Sequence, residues 1–554
     1  MLLTDLILTI ALLIMLSSWF FTVPKNNKWL WMSVMAVIGI CIWSIAEDRW
    51  QAWSGLIVGV VVASGLLAGQ RFNHSRIRMQ ISGFCISLTV LLSIAVLWLF
   101  PIPDLPKPSG PHAVGVKTFE LVDHNRLGVF TQNKAEPRRL LIRVWYPATR
   151  PQHQAPQPYL SADETQYTIR GIGEFIGFSP LFTYMRNAQT NSFADAPLIK
   201  GASQLPTVFF SHGYASSLGW NTVLMEHLAS HGYVIYSIQH THDALPTVFA
   251  DHTIADTDPE LIAAARKSSI GAGILPPTMS KSFTAHSISE QLIAHVDGAM
   301  EMLSEKQRLV VESAPVWVQD RLFVHDQLQH SVVPSSVHSI VAASNLTRTG
   351  EMGLSFGGSV SGAVCMLDSR CGAVVNIDGG DFHYLPVNAD LGKPLLMLHS
   401  DIDLFYKSFG IEKSYTRRSL NDFAYESFEH AGDHPDIHRI QLKGVTHNGL
   451  SDFSLFLRTP LSDMLIGPTP ATKAINMEND FILGFFDKHL RNSKNSFPAD
   501  EYKHHKELAM PYRNDHIKTW WESLSESEKH DVTQRINVLK SSLLLHQKDA
   551  PVLH

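Results

Sequence analysis

Four runs of apolar residues, at about 6–23, 29–46, 52–68 and 81–100, fill the first hundred positions of this 554-residue chain. Each is about 17–20 residues long, near the length at which a helix rising 1.5 Å per residue crosses a hydrocarbon core. None contains a charged residue; one charge at mid-helix would cost about 2.5–3.5 kcal/mol on the insertion scale. Trp19, Trp29, Trp31, Trp50, Trp53 and Trp98 lie near the run ends, where indole rings anchor at membrane interfaces. A buried helical core is the plainer alternative, and four successive uncharged runs joined by tight polar loops argue against it. A cleaved signal peptide fits poorly too, because only Asp5 and no Lys or Arg precedes the first run.

The loops set an expected orientation. PKNNK (24–28) and QRFNHSRIR (70–78) are basic, whereas EDRWQ (47–51) is net acidic. Basic loops stay in the cytoplasm. Both ends of the four-helix block, and everything after residue 100, are therefore expected on the extracytoplasmic side of a multipass membrane protein. FPIPDLPKPSGP (100–111) then places five prolines in twelve residues, which reads as a semi-rigid spacer. The expected division is a membrane region over 1–100, a linker over 101–114, a soluble domain over 115–495 and a helical extension over 496–554.

Beyond the linker, strand and helix patterns alternate. LLIRVWYPA (140–148), TVFFSHG (207–213), YVIYSI (233–238), GAVVNID (372–378), PLLMLHSD (394–401) and IHRIQLKGVTH (437–447) read as strands. Residues 217–230 and QLIAHVDGAMEML (291–303) read as helices. Buried strands separated by helices imply a largely parallel sheet in an α/β fold. The net charge of −6 offers no basic excess for nucleic acid. Four cysteines are too few for a disulfide scaffold. Cys41 and Cys85 lie in the apolar runs, and whether Cys365 and Cys371 pair is left open.

EMGLSFGGSV (351–360) carries the G-x-S-x-G spelling around Ser355. The pattern is short enough to arise by chance, so context decides. Here a strand precedes Ser355 and a helix can follow, as a nucleophile elbow requires. An orienting acid and a base follow in chain order: Asp378 in VNIDGGDF and His447 in GVTHNGLSDF. Asp401 and Asp403, one strand later, are the competing acids. FFSHGYASS (209–217) supplies a turn in which the Tyr214 N–H can serve an oxyanion, as can Phe356 after the serine.

RVWYPA (143–148), FFSHGYASS, YSIQHTHDA (236–244), GLSFGGS (353–359), NIDGGDF (376–382) and GVTHNGLSDF (444–453) occur in this order. Over about residues 115–490 the chain resembles the plasma-type platelet-activating factor acetylhydrolases, serine esterases with an α/β-hydrolase fold. The resemblance implies Ser355 as nucleophile, His447 as base, Asp378 as acid, Tyr214 and Phe356 amides as oxyanion hole, and no cofactor or metal. It implies lipid esters as substrate, phospholipids with short or oxidised acyl chains among them. Leu354 stands where the family often has histidine, and its Glu-His-Arg-Asp stretch appears here as Gln239, His240, Thr241 and His242.

Other readings remain. The His240/His242 pair at a strand end suits a metal-dependent hydrolase; the alternative packs His240 beneath the serine. A triad-dependent acyltransferase and a non-catalytic membrane receptor of the same fold complete the set. His430, His434 and His438 are spaced by four but interrupted by Pro435, and read as solvated loop residues. RGIGEFIGFSPLFTYM (170–185) reads as a covering helix or a lipid-facing surface. Residues 250–285 read as an insertion or lid, and 515–548 as a charged helix with no assigned role.

Overall fold

The structure, a computed structural model, describes residues 3–21, 28–68, 76–176, 179–267, 277–381, 385–408, 410–411 and 418–549. The apolar runs form helices α1 (Leu3–Phe21), α2 (Lys28–Ala46), α3 (Ala52–Leu67) and α4 (Arg76–Leu99). Leu8, Leu12 and Met15 of α1 meet Val34 and Val37 of α2, Val58 and Val62 of α3 and Val90 of α4 in one core. Leu13, Met35, Ile57 and Leu91 point outward and are exposed. A bundle apolar on its outer face is suited to lipid rather than water. Leu3–Phe21, Lys28–Ala46 and Gln80–Leu99 are long and apolar enough to span a membrane, whereas α3 has 16 residues. The basic loop residues 22–27 and 69–75 lie outside the described residues.

One end of this bundle is tied by charge. Arg49 is fully buried against Asp5 at 2.8 Å and donates to the Phe100 carbonyl at 3.0 Å. The start of α1, the α2–α3 loop and the end of α4 therefore share one end. Two later segments, 158–189 and 455–464, belong to the same compact unit. Trp50 Nε1 donates to the Leu181 carbonyl at 2.9 Å, and Asn187 Nδ2 to that of Glu47 at 2.8 Å. Arg186 pairs with Asp48, and Tyr184 OH donates to the Phe456 carbonyl at 2.6 Å. The aromatic stretch 170–185 is thus partly spent on the loop end of the bundle.

The second unit is built on one ten-stranded sheet. In chain order its strands and those of a small ribbon are β1 (Ala113–Leu127), β2 (Pro137–Ala148), β3 (Ser192–Ala194), β4 (Thr207–Ser211), β5 (Val234–Gln239), β6 (Thr247–Val248), β7 (Ile254–Ala255), β8 (Thr349–Leu354), β9 (Cys371–Ile377), β10 (Leu395–His399), β11 (Ile437–Leu442) and β12 (Ala509–Pro511). The order across the sheet is β12-β11-β10-β9-β8-β4-β5-β2-β1-β3, with β6 and β7 forming the ribbon. From β5 through β11 every pairing is parallel. This is the expected α/β-hydrolase architecture.

Both faces are covered, so the strands read as continuous apolar runs. Val208 and Phe210 of β4 face the helices Thr222–Ser230 and Ala471–His489, through Leu224, Leu228, Phe481 and Phe485. Phe209 faces the other way, toward Val324 and Leu328 of helix Ala314–Gln329. The linker is held rather than free at its far end. Gly110 N donates to Ser230 Oγ at 3.0 Å and His112 N to the Ser230 carbonyl at 3.1 Å.

The C-terminal segment, expected as a helical extension, also completes the sheet. β12 pairs antiparallel with β11. Ile517, Ile536, Leu539 and Leu543 enter the core beside the helix Ile288–Ser304. One histidine expectation is corrected. His438 is not a solvated loop residue but the second residue of β11, opposite Leu396 of β10 and only partly exposed. The strand starts immediately after the Pro435-Asp436 turn. Of the expected lid, residues 268–276 lie outside the described residues; the rest includes β7, the helices Pro259–Lys267 and Pro277–Ser280 and the 3-10 helix Lys281–Thr284.

Candidate active site

Ser355 stands between β8 and the helix Phe356–Leu367, with φ +56° and ψ −124°. A non-glycine residue there carries a strain of about 1–3 kcal/mol. The surroundings hold it: Ser355 N donates to the Ile377 carbonyl at 2.8 Å, and Gly358 N to that of Ser355 at 2.9 Å. The flanking glycines are required by space. A Cβ at Gly357 would lie 2.0 Å from the Ser211 carbonyl oxygen, and one at Gly353 would lie 2.2 Å from the Gly357 backbone. The helix can therefore press against β4 and lift the serine above the sheet edge, at a helix N-terminus that favours negative charge.

β8 lies between β4 and β9, so the turns after those two strands flank Ser355. After β9, Asp378 also has a left-handed backbone, φ +52°. Its amide donates to the Leu398 carbonyl at 2.7 Å. Its Oδ1 accepts from Ser400 N at 2.7 Å, and its Oδ2 from His447 Nδ1 at 2.7 Å. Both carboxylate oxygens are engaged, and Nε2 is the ring nitrogen of His447 left for a reacting group. Burial alone would raise the Asp378 carboxyl, but the His447 hydrogen bond and charge hold it below the ordinary value. Burial would lower His447, but the same bond and carboxylate raise it above 6.5.

Asp401 does something else. Its Oδ1 accepts from the amides of Asp403 and Leu404 at 3.0 and 3.2 Å, capping the helix Ile402–Ser408. Its Oδ2 accepts from Gly444 N at 2.7 Å. It thus steadies the chain three residues before His447, while Asp403 is exposed. The Asp-Phe end of the histidine motif is a second tie. Asp452 accepts from Val223 N at 3.3 and 3.2 Å, capping the helix Thr222–Ser230. Its own amide donates to the Trp220 carbonyl at 3.1 Å. The histidine loop is thereby fastened to the segment that follows Tyr214.

The turn after β4 abuts the serine: a Cβ on Gly213 would lie 3.5 Å from Ser355 Cβ. Among the described residues, the Tyr214 N–H has no hydrogen-bond partner. The Tyr214 ring packs edge-on to Phe356 at 5.2 Å. Beneath lies a buried polar network around His240, as the non-metal alternative for that residue has it, with partners on other elements that no local pattern marks. His212 accepts from His240 N at Nε2, 3.2 Å, and its Nδ1 donates to the Gly213 carbonyl at 2.7 Å. Burial pushes His212 down to about 3, which keeps it neutral. His240 stacks on Trp317 at 3.9 Å, with Nδ1 on Asp320 at 2.9 Å and Nε2 on Ser211 Oγ at 3.1 Å. Burial would raise the Asp320 carboxyl, but Arg138 and Arg126 hold it far below the usual range.

His240 and His242 do not converge on a common ligand position. Both ring nitrogens of His240 are engaged, and His242 Nδ1 bonds the Asp256 carbonyl at 2.8 Å. Cys365 and Cys371, left open above, form a disulfide that closes the end of the serine helix onto β9.

Comparison with known proteins adds three likenesses. The family described as platelet-activating factor acetylhydrolase, isoform II, matches residues 100–507. A probable 1-alkyl-2-acetylglycerophosphocholine esterase of Arthroderma benhamiae is 24% identical over 417 residues, covering 69% of this chain and 87% of the relative. A solved ferulic acid esterase from Streptomyces cinnamoneus is 19% identical, covering 74% of this chain and 100% of that one, with a TM-score of 0.49.

Proposed function

Because the chain belongs to the platelet-activating factor acetylhydrolase family, with a match over residues 100–507, and is a carboxylic ester hydrolase, we propose that it is a membrane-anchored serine lipid esterase. Ser355 Oγ attacks the ester carbonyl, and His447 Nε2 takes its proton. Asp378 fixes the tautomer with the proton on Nδ1 and stabilises the imidazolium that forms. The amides of Tyr214 and Phe356 receive the oxyanion. His447 returns the proton to the leaving alkoxide, and a water activated by the same imidazole releases the acyl group. The observation that carries this reading is the 2.7 Å His447 Nδ1 to Asp378 Oδ2 bond beside a strained serine elbow.

The proposed substrates are phospholipids with short or oxidised acyl chains, in keeping with the family and with the relative's name. The N-terminal helices support membrane anchoring, and the charge pattern of the loops supports an extracytoplasmic catalytic domain. The Cys365–Cys371 disulfide suits that oxidising side. The test is a fluorophosphonate probe on the purified full chain. Labelling at Ser355, abolished with ester hydrolysis in Ser355→Ala, is the expected result. Ester turnover that persists in Ser355→Ala would overturn the assignment.

A further inference from the structure

The proposed catalytic residues all follow the C-terminal ends of parallel strands. At the opposite edge of the sheet lies a cluster with no part in that chemistry. Asp436 immediately precedes β11, His438 is its second residue, and His489 ends the helix Ala471–His489. One donor atom from each lies within 4.8 Å of the others, and His489 Nε2 is 3.9 Å from Asp436 Oδ1. That is too long for a hydrogen bond. Among the described residues, Nε2 of His438 and Nε2 of His489 are both buried without a hydrogen-bond partner. His489 is only 7% exposed. Its ring is held against Phe485 at 4.7 Å, and that of His438 against Phe497 at 5.0 Å.

Two buried imidazoles beside one carboxylate, each with an unpartnered nitrogen, are costly as a hydrogen-bonding arrangement. They are well suited as ligands. We propose that Asp436, His438 and His489 form a site for a divalent transition metal, zinc-like in its donor set, that pins the end of the helix Ala471–His489 to the start of β11. Two nitrogens and one oxygen do not suit calcium or magnesium, which prefer all-oxygen shells. With metal–ligand bonds of about 2.0–2.2 Å, tetrahedral donors stand about 3.3 Å apart, so the three groups close inward by about 1 Å or less. A water completes the shell.

Lys488 Nζ, 3.6 Å from Asp436 Oδ1, occupies the same carboxylate. Its side chain is 30% exposed and has the reach to leave for solvent. The metal therefore replaces a competing ammonium rather than entering an empty charge site. The role is structural. The cluster sits one six-residue strand below the His447 loop, roughly 20 Å away at 3.3 Å per residue.

The test uses the full chain in detergent, stripped with a chelator and titrated with zinc against a chromophoric indicator, with melting followed in parallel. One zinc per chain is expected, with a rise in Tm and no change in initial ester hydrolysis at low temperature. His438→Gln and His489→Gln should each weaken zinc about a hundredfold or more, since even outer-shell losses cost about 10–100-fold. Both should melt with the stripped wild type and lose the zinc-dependent rise. Lys488→Gln removes a competitor and no ligand, so it should bind zinc as tightly or more tightly. Absence of stoichiometric zinc on the wild type would overturn the site. So would undiminished binding in both histidine variants, or a loss in Lys488→Gln equal to theirs.

Discussion

Two aspartates at neighbouring strand ends compete to serve His447, and their hydrogen bonds separate them. Asp378 gives Oδ2 to the imidazole, while Asp401 gives both oxygens to backbone amides. Asp378→Asn should therefore lose about 10⁴ in kcat by favouring the wrong tautomer, with the fold intact. Asp401→Asn keeps a helix-capping oxygen and should lose far less; steady-state rates of the two variants decide. The pH profile gives a second check. As the proposed base His447 must be unprotonated, and Asp378 raises its pKa above 6.5. The acid limb of kcat/KM should then fall as pH drops through a value above 6.5. In Asp378→Asn, with the carboxylate charge removed, the residual activity should show that limb moved to lower pH. An unmoved limb would mean that Asp378 does not face the base.

The elbow shows how one element depends on the backbone of another. Helix Phe356–Leu367 starts against β4, and no side chain fits at Gly357, where a Cβ would meet the Ser211 oxygen at 2.0 Å. That contact is backbone on backbone, so relief must come from moving the helix or the strand. Gly357→Ala should cost about 1–3 kcal/mol, as overpacking does. It should slow fluorophosphonate labelling more than stability alone explains, because β4 also carries the Tyr214 turn. Melting and labelling rates measured on one preparation test this; wild-type labelling at reduced Tm would show that the turn is uncoupled from the helix start.

For the whole chain, the membrane reading rests on composition and on the bundle's own geometry. Asp5, Arg49 and Phe100 meet at one end, as helices that cross in alternation require. Reporter fusions at residues 26, 49, 75 and 115 should read inside, outside, inside, outside. Cytoplasmic activity of the fusion at 115 would reverse the proposed orientation.

What the sequence determined alone is what depends on neighbours along the chain. Apolar runs of spanning length, buried strand segments near their observed places, the glycine spacing around Ser355 and the order Ser, Asp, His are local properties. Period, length and turn chemistry suffice for them. Helix Ala314–Gln329 was not legible because it is buried on several sides. Asp320, Arg321 and His325 interrupt its apolar period, and their partners lie on other elements: Arg126 on β1, Glu351 on β8 and the Leu346 carbonyl before β8. β12 has three residues and exists only because β11 offers an edge. His438 reads as one of three spaced histidines until β11 places it beside His489. Which carboxylate reaches His447, what holds the Tyr214 turn from beneath and which histidines meet were decided by strand order and register. These bring together groups tens to hundreds of residues apart, and no local pattern encodes such a distance.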